Sequence, residues 1–161
     1  MDFDDLLAAN SRLADLDGGT RAPGRAARGI AVLCCMDPRL DPLGMLGLDV
    51  GEAAVLRTPG GRLTPSALTG LVVATHLLGV DRILVVAHTG CAMASGSDAD
   101  VAEKVRRADG TDLSGMVLGS TSDQLAGLRH DVAMVRSHPH LDALVGGFLL
   151  DLPSGRLDHL V

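Results

Sequence analysis

At 161 residues, 47% hydrophobic and 21% charged, the chain has the length and composition of one globular domain with a substantial core, so a single unit spanning 1–161 is expected. Its net charge of −6 offers no basic face to a nucleic acid, and its longest apolar tract, 71–80, is interrupted by Thr75 and His76 and is too short to span a bilayer. Three cysteines, two of them adjacent, cannot frame a disulfide scaffold, and with no Trp or Tyr the core must be packed from Leu, Val and Ala.

The amino end, Met1-Asp2-Phe3-Asp4-Asp5, is acidic and lacks the basic, apolar, small-residue order of a secretory signal, so a soluble cytoplasmic protein is the expectation. Phe3, Leu6, Leu7, Leu13 and Leu16 fall on one helical face, with Asp2, Asp4 and Asp5 at the positive amino end and Gly18-Gly19 as a stop. This 1–19 helical arm precedes the sheet, and its stripe can pack on another subunit or on its own domain; the pattern does not choose. A linker over 20–29 leads into 30–35 (IAVLCC), a short uninterrupted apolar run that reads as a strand buried on both faces. Pro38 then forces Asp37 towards an extended conformation and holds it at the mouth of that strand. Asp41-Pro42 reads as an N-cap with proline at the first helical position, opening a short helix that stops near Gly47.

Residues 53–57 form the second expected strand, and the glycines of Pro59-Gly60-Gly61 let backbone approach whatever occupies the crevice beyond it. Thr64-Pro65 starts a helix running through Leu68, Leu71, Val72, Leu77 and Leu78 to Gly79, apolar on most sides and therefore buried. The third strand, 82–88 (RILVVAH), delivers His88, and Thr89-Gly90-Cys91-Ala92-Met93 turns into a short helix whose amides favour a thiolate at Cys91. After a small polar loop, 95–100, comes a charged surface helix over 98–108. Thr121 and Gln124 read as a capping box for a helix carrying Leu125, Leu128, Val132 and Val135 up to a break before Pro139. Residues 144–152 form a fourth strand, and Pro153-Ser154-Gly155 turns the chain back into an antiparallel edge strand over 156–161. The expected architecture is α/β: a mostly parallel central sheet of order 2-1-3-4 with an antiparallel edge strand, flanked by helices.

In that order the first and third strands are neighbours, and ligands bind in the crevice beyond their carboxyl ends, where Cys35 and His88 both fall. Cys35, His88 and Cys91 are ligand types that zinc prefers, and three fixed ligands leave a fourth position for water, which points to a catalytic ion rather than a structural one. Cys34 faces the other side of the strand and reads as a small core residue. Asp37 and Arg39, two apart on extended chain, lie roughly on the same side. Either Arg39 holds Asp37 in a charge-assisted pair, or Asp37 reaches the metal as a fourth ligand in a closed state; the sequence leaves both open.

Cys35-X-Asp37-X-Arg39 followed by His88-X-X-Cys91 resembles the β-class carbonic anhydrases. The Arg57-X-X-Gly60-Gly61 loop and the end segment Gly147-Phe148-Leu149-Leu150-Asp151 also look like that family, of which this chain resembles a short member. The resemblance implies one zinc ion per subunit on Cys35, His88 and Cys91, with Asp37 and Arg39 catalytic and Thr58, Pro59, Gly60, Gly61, Thr89 and Gly90 around the pocket. It further implies hydration of carbon dioxide to bicarbonate and a proton by zinc-bound hydroxide, in a homodimer or higher homo-oligomer whose amino-terminal arms embrace the partner. The nearest alternative is hydrolysis of carbonyl sulfide or carbon disulfide on the same scaffold. A non-enzymatic zinc or thiol module using Cys34, Cys35 and Cys91 is the rival from another class, and it gives Asp37 and Arg39 no work. The sequence departs from the family at Thr58-Pro59, where many members carry Asn-Ala, lacks the pocket Tyr, and has Gln124 away from the place expected of a pocket Gln. His76, His130, His138, His140 and His159 are proton-shuttle candidates by inventory alone, and none is assigned.

Overall fold

Five strands, β1 (Ile30–Cys35), β2 (Ala53–Thr58), β3 (Arg82–His88), β4 (Leu144–Asp151) and β5 (Arg156–His159), form one sheet in the computed structural model, which describes residues 3–17 and 22–161. Their order is β2-β1-β3-β4-β5; the first four run parallel and β5 returns antiparallel to β4, as the sequence predicts. β1 sits between β2 and β3 and is buried along its whole length, which is why it reads as continuous apolar sequence rather than as an alternation.

The two faces of the sheet are covered differently. Helices α2 (Pro65–Leu77) and α4 (Gln124–Arg136) bury one face, where Ala31, Leu33, Ile83 and Val85 pack against Leu71, Ala74, Leu128 and Val132. On the other face Ile30, Val32, Cys34 and Val86 pack against Leu40 and Leu48 from the segment that follows β1. Asp131 joins the layers: its buried carboxylate accepts from Arg62 Nε at 2.6 Å, Arg62 Nη2 at 3.1 Å and the Leu63 amide at 3.0 Å, tying the β2–α2 connection to α4. Such a pair is tolerated inside a protein because every carboxylate lone pair in use meets a donor.

Several boundaries differ from the expectation for local reasons. After Asp41-Pro42 the chain makes only a 3-10 turn, Gly44–Leu46, because the Asp41 side chain takes the Gly44 amide at 3.0 Å and Gly47, at φ +63°, ends the turn at once. α2 stops at Leu77, short of Gly79, and β4 stops at Asp151, one residue before Leu152. β5 ends at His159, although the amides of Leu160 and Val161 still reach the Gly147 carbonyl at 2.9 and 3.2 Å. The polar stretch 95–100 contains the cap of α3 (Asp98–Asp109), with the Ser97 hydroxyl and the Asp100 carboxylate capping each other's amides. The capping box expected of Thr121 and Gln124 does not form. Asp123 is the N-cap of α4, accepting from the Ala126 amide at 2.9 Å, while the Thr121 hydroxyl bonds Asp123 itself.

The amino-terminal helix α1 (Asp4–Asp17) forms as its spacing predicts, but its apolar stripe is open to solvent: Phe3 is 73% and Leu16 86% exposed. The stop expected at Gly18-Gly19 lies outside the described residues, as do Met1, Asp2, Thr20 and Arg21. No helix among the described residues is long and apolar enough to cross a membrane.

Asp98, at the start of α3, gathers the amides of Leu118 (2.9 Å), Gly119 (3.4 Å) and Ser120 (2.8 Å) together with the Ser120 hydroxyl. The Ser120 hydroxyl, followed by these amides, holds its carboxyl down to about 2. A depressed folded-state value stabilises the fold fully above the unfolded carboxyl pKa of 3.8, and that stabilisation is lost as pH falls towards 2. The variant Asp98→Asn should therefore be less stable than the parent at neutral pH, with the difference shrinking between pH 4 and pH 2; parallel acid-unfolding curves for the two proteins would overturn this.

Candidate metal centre

Because β1 and β3 are parallel neighbours, their carboxyl ends open on the same edge of the sheet. Cys35 ends β1 and His88 ends β3; Gly90, at φ +66°, then bends the chain so that Cys91 returns to them. The two sulfurs lie 3.9 Å apart, and the ligand atoms of Cys35, His88 and Cys91 all fall within 4.8 Å of one another. All three side chains are buried, His88 completely.

The tautomer of His88 follows from its neighbour. Nδ1 lies 3.0 Å from the Thr89 carbonyl, which only accepts, so Nδ1 carries the proton and Nε2 keeps its lone pair. That Nε2 is buried and has no hydrogen-bond partner, an expensive condition for a polar atom unless a cation supplies the missing interaction. Two soft sulfur donors and one imidazole nitrogen converging on one point fit a tetrahedral ion such as zinc, with one corner not filled by these three residues.

Burial raises the Cys91 thiol, outweighing the Met93 and Ala94 amides that pull it down, so the thiolate expected from the following turn is not obtained from backbone alone. A cation must displace that proton. Cys34, wholly buried among Ile30 and Val32, has its thiol pushed up to about 11 by burial and is inert at neutral pH, in keeping with a core role.

Gly61 explains the glycine loop. At φ +68° it lies against the paired backbones of β1 and β3, where an added Cβ would come within 2.8 Å of the Val86 carbonyl oxygen and 3.1 Å of the Cys35 nitrogen. Asp37 and Arg39 form a two-pronged pair, Nε to Oδ1 at 2.9 Å and Nη2 to Oδ2 at 2.6 Å, and the Arg39 amide adds a third bond to Oδ1 at 3.0 Å. The Arg39 side chain, followed by its amide, holds the Asp37 carboxyl far below the ordinary carboxylate range. Arg39 Nη2 also donates to the Gly90 carbonyl at 3.1 Å, and Arg57 donates to the Cys35 carbonyl at 3.0 Å and to the Asp37 carbonyl at 2.5 Å. Asp37 Oδ2 stands 3.9 Å from His88 Nε2, too far for a hydrogen bond.

Of the residues expected around the pocket, Gly60 and Gly61 line a cavity of about 10 Å³ beside Cys91 and Met93, and Thr89 and Gly90 line an open depression beside Arg39. Thr58 and Pro59 line neither; the Thr58 hydroxyl is turned into its own loop, donating to the Arg62 carbonyl at 2.8 Å. None of the other five histidines joins the Cys35, His88 and Cys91 group. One residue at the site escapes the sequence reading: Gln124 lines the small cavity, and its Nε2 donates to the His88 carbonyl at 3.0 Å. Asp123, a better N-cap than Thr121, is the signal that would have freed it.

A mostly parallel α/β sheet that sets two cysteines and a histidine at its carboxyl edge, with an Asp–Arg pair beside them, defines a small class of proteins. The sequence profile described as carbonic anhydrase matches residues 30–118, and the chain belongs to the β-carbonic anhydrase family. It is 29% identical over 161 residues to a Mycobacterium tuberculosis protein named beta-carbonic anhydrase 1, an alignment covering 98% of this chain and 96% of that one. The crystal structure of a carbonic anhydrase from Streptococcus mutans superposes with a TM-score of 0.87 at 29% identity, covering 100% of this chain and 99% of its own. A carbon disulfide hydrolase of Acidithiobacillus thiooxidans is 35% identical over 108 residues, which is 63% of this chain and 49% of that protein.

Gly61→Ala should cost about 1–2 kcal/mol from the left-handed backbone alone, with a further loss from the contact at Val86, and should lower both the melting temperature and the metal content of the purified protein. Unchanged melting with a full metal load would show that the loop tolerates a side chain there.

Proposed function

We propose that the chain catalyses the reversible hydration of carbon dioxide to bicarbonate and a proton, with one zinc ion per subunit held by Cys35 Sγ, His88 Nε2 and Cys91 Sγ. The observation that carries this is the buried, unpartnered His88 Nε2 facing two thiols beside an ionised Asp37. A zinc ion in such a site supplies a Lewis acid that lowers the pKa of water towards neutrality. Two thiolates bring more negative charge to that ion than imidazoles would, so activity should rise towards alkaline pH.

Asp37 and Arg39 divide the remaining work. Arg39 occupies both carboxylate oxygens of Asp37, which keeps the acid ionised and restrains it from swinging onto the metal. Held in this way, with Oδ2 3.9 Å from His88 Nε2, Asp37 could accept a hydrogen bond from a water beside Cys35, His88 and Cys91 and orient it. The space at the site is small and partly lined by Gly60, Gly61 and Met93, which suits a small uncharged electrophile. The family likeness favours carbon dioxide, and the Acidithiobacillus thiooxidans relative favours a second reading in which carbon disulfide or carbonyl sulfide is hydrolysed instead. Three unpaired thiols suit a reducing compartment, which supports a cytoplasmic location.

The same reading includes a homodimer or larger homo-oligomer. The exposed apolar stripe of α1 is acidic at its amino end, and beside Leu46 and Leu48 the sheet carries a groove of about 370 Å³ lined by Ile30, Leu84 and Phe148 together with Arg28, Arg82 and Arg136. Apolar stripe and lining, acid and base, match a helix from one copy to the groove of another. Sedimentation should give a mass of at least two chains, reduced to one by Leu6→Asp with Leu7→Asp; a single-chain mass for the unaltered protein would overturn the assignment.

Stopped-flow assays with the three gases side by side test the activity. Zinc-loaded protein should hydrate carbon dioxide fastest, chelator-stripped protein should be inactive, and Arg39→Ala should reduce kcat by about 100-fold. Faster turnover of carbon disulfide or carbonyl sulfide would favour the second reading. Full activity after stripping would overturn the role of the metal, and full activity in Arg39→Ala would overturn that of the arginine.

A further inference from the structure

We propose that Gln124 is a positioning residue for His88, fixing the ring through the backbone rather than touching substrate; this rests on the reading of Cys35, His88 and Cys91 as a metal centre. The ladder between β1 and β3 closes at Cys34 and Val86, so the His88 carbonyl lies beyond the last paired residue of β1. Gln124 supplies the donor that the strand no longer can, with Nε2 at 3.0 Å.

The peptide unit joining His88 to Thr89 is thereby pinned at both ends: its carbonyl by Gln124, and its N–H by the Leu150 carbonyl at 2.9 Å on the β4 side. The next carbonyl, of Thr89, receives the Nδ1 proton of His88. Rotating the pinned unit would swing that acceptor away from the ring and turn Nε2 off the two sulfurs. Gln124 therefore acts on the ring in two steps, through one peptide plane and one hydrogen bond.

Two features make Gln124 a dependable anchor. Asp123 caps α4, so the Gln124 amide is not drawn back to the helix end. Leu128 and Asp131 follow at helical spacing on the same inward face, and both are buried; the three bonds from Arg62 and Leu63 to Asp131 hold that face against the sheet. The first turn of α4 is thus set at a fixed distance from the end of β3, and the half-buried Gln124 spans it.

Gln124→Met keeps the length of the side chain and removes the donor. Zinc affinity of the folded variant, measured by competition with a chromophoric chelator, should fall roughly 10- to 100-fold. The cobalt-substituted variant should show altered d–d bands, because the imidazole meets the ion in a changed orientation. A dissociation constant and cobalt spectrum equal to those of the unaltered protein would overturn the proposal, whatever the melting temperature, since a purely structural role would lower the melting point alone. Gln124→Glu, of the same size and without a donor when ionised, carries the same test if the methionine variant does not fold. Failure of the unaltered protein to bind zinc or cobalt would instead overturn the metal-centre reading beneath it.

Discussion

A parallel pair of strands ending side by side, one in a cysteine and the other in a histidine, is the constraint from which the rest of the site follows. Neither residue can move far, because β1 and β3 are the most enclosed strands of the sheet and their side chains are packed from both faces. His88 is then buried with one ring nitrogen spoken for and the other bare. An isolated imidazole nitrogen in that position is a standing cost to folding, and the thiol protons of Cys35 and Cys91 do not relieve it, since neither sulfur bonds to that nitrogen. An ion that accepts all three lone pairs removes the difficulty and releases those protons, which couples metal affinity to pH.

Around this centre the charged groups are arranged as restraints more than as attractions. Arg57 grips the carbonyls of Cys35 and Asp37, fixing the chain where it leaves β1. Arg39 grips the Asp37 carboxylate and the Gly90 carbonyl, linking the segment after β1 to the loop that carries Cys91. Arg39 therefore joins the two halves of the site, which are distant in sequence, while Arg57 ties the first of them to the end of β2. Lysine could not replace either one, since each uses the planar fork of the guanidinium to reach two acceptors at once.

The strands were legible in the sequence because a buried parallel strand is a plain apolar run, and 30–35 and 82–88 have the bounds observed. The meeting of Cys35 and His88 was legible because adjacency of those strands forces their ends together, and Cys91 follows His88 by three residues. What could not be read were outcomes of competition between near-equal local choices. Thr121 and Asp123 both offer an N-cap, and the carboxylate wins, which moves Gln124 from a helix end to the site. At Cys91 the amides of a short turn oppose burial, and burial prevails, which no spacing of residues reveals. The choice between Asp37 on Arg39 and Asp37 on the metal depended on angstrom-scale geometry; in the structure both oxygens are on Arg39.

The adjacent thiols of β1 carry a consequence for how the chain assembles. IAVLCC is apolar throughout, so sliding the strand by a single position would expose nothing polar and would offer Cys34 where Cys35 belongs. Hydrophobicity alone cannot tell the two alignments apart. The vernier lies at the strand's ends: the Gly29 carbonyl takes the amides of Asp81 and Arg82 at one end, and at the other Arg57 seizes the Cys35 carbonyl while Gly61 is wedged against the Cys35 nitrogen. Polar groups outside the strand thus select which sulfur meets Cys91 and His88 and which is sealed in the core.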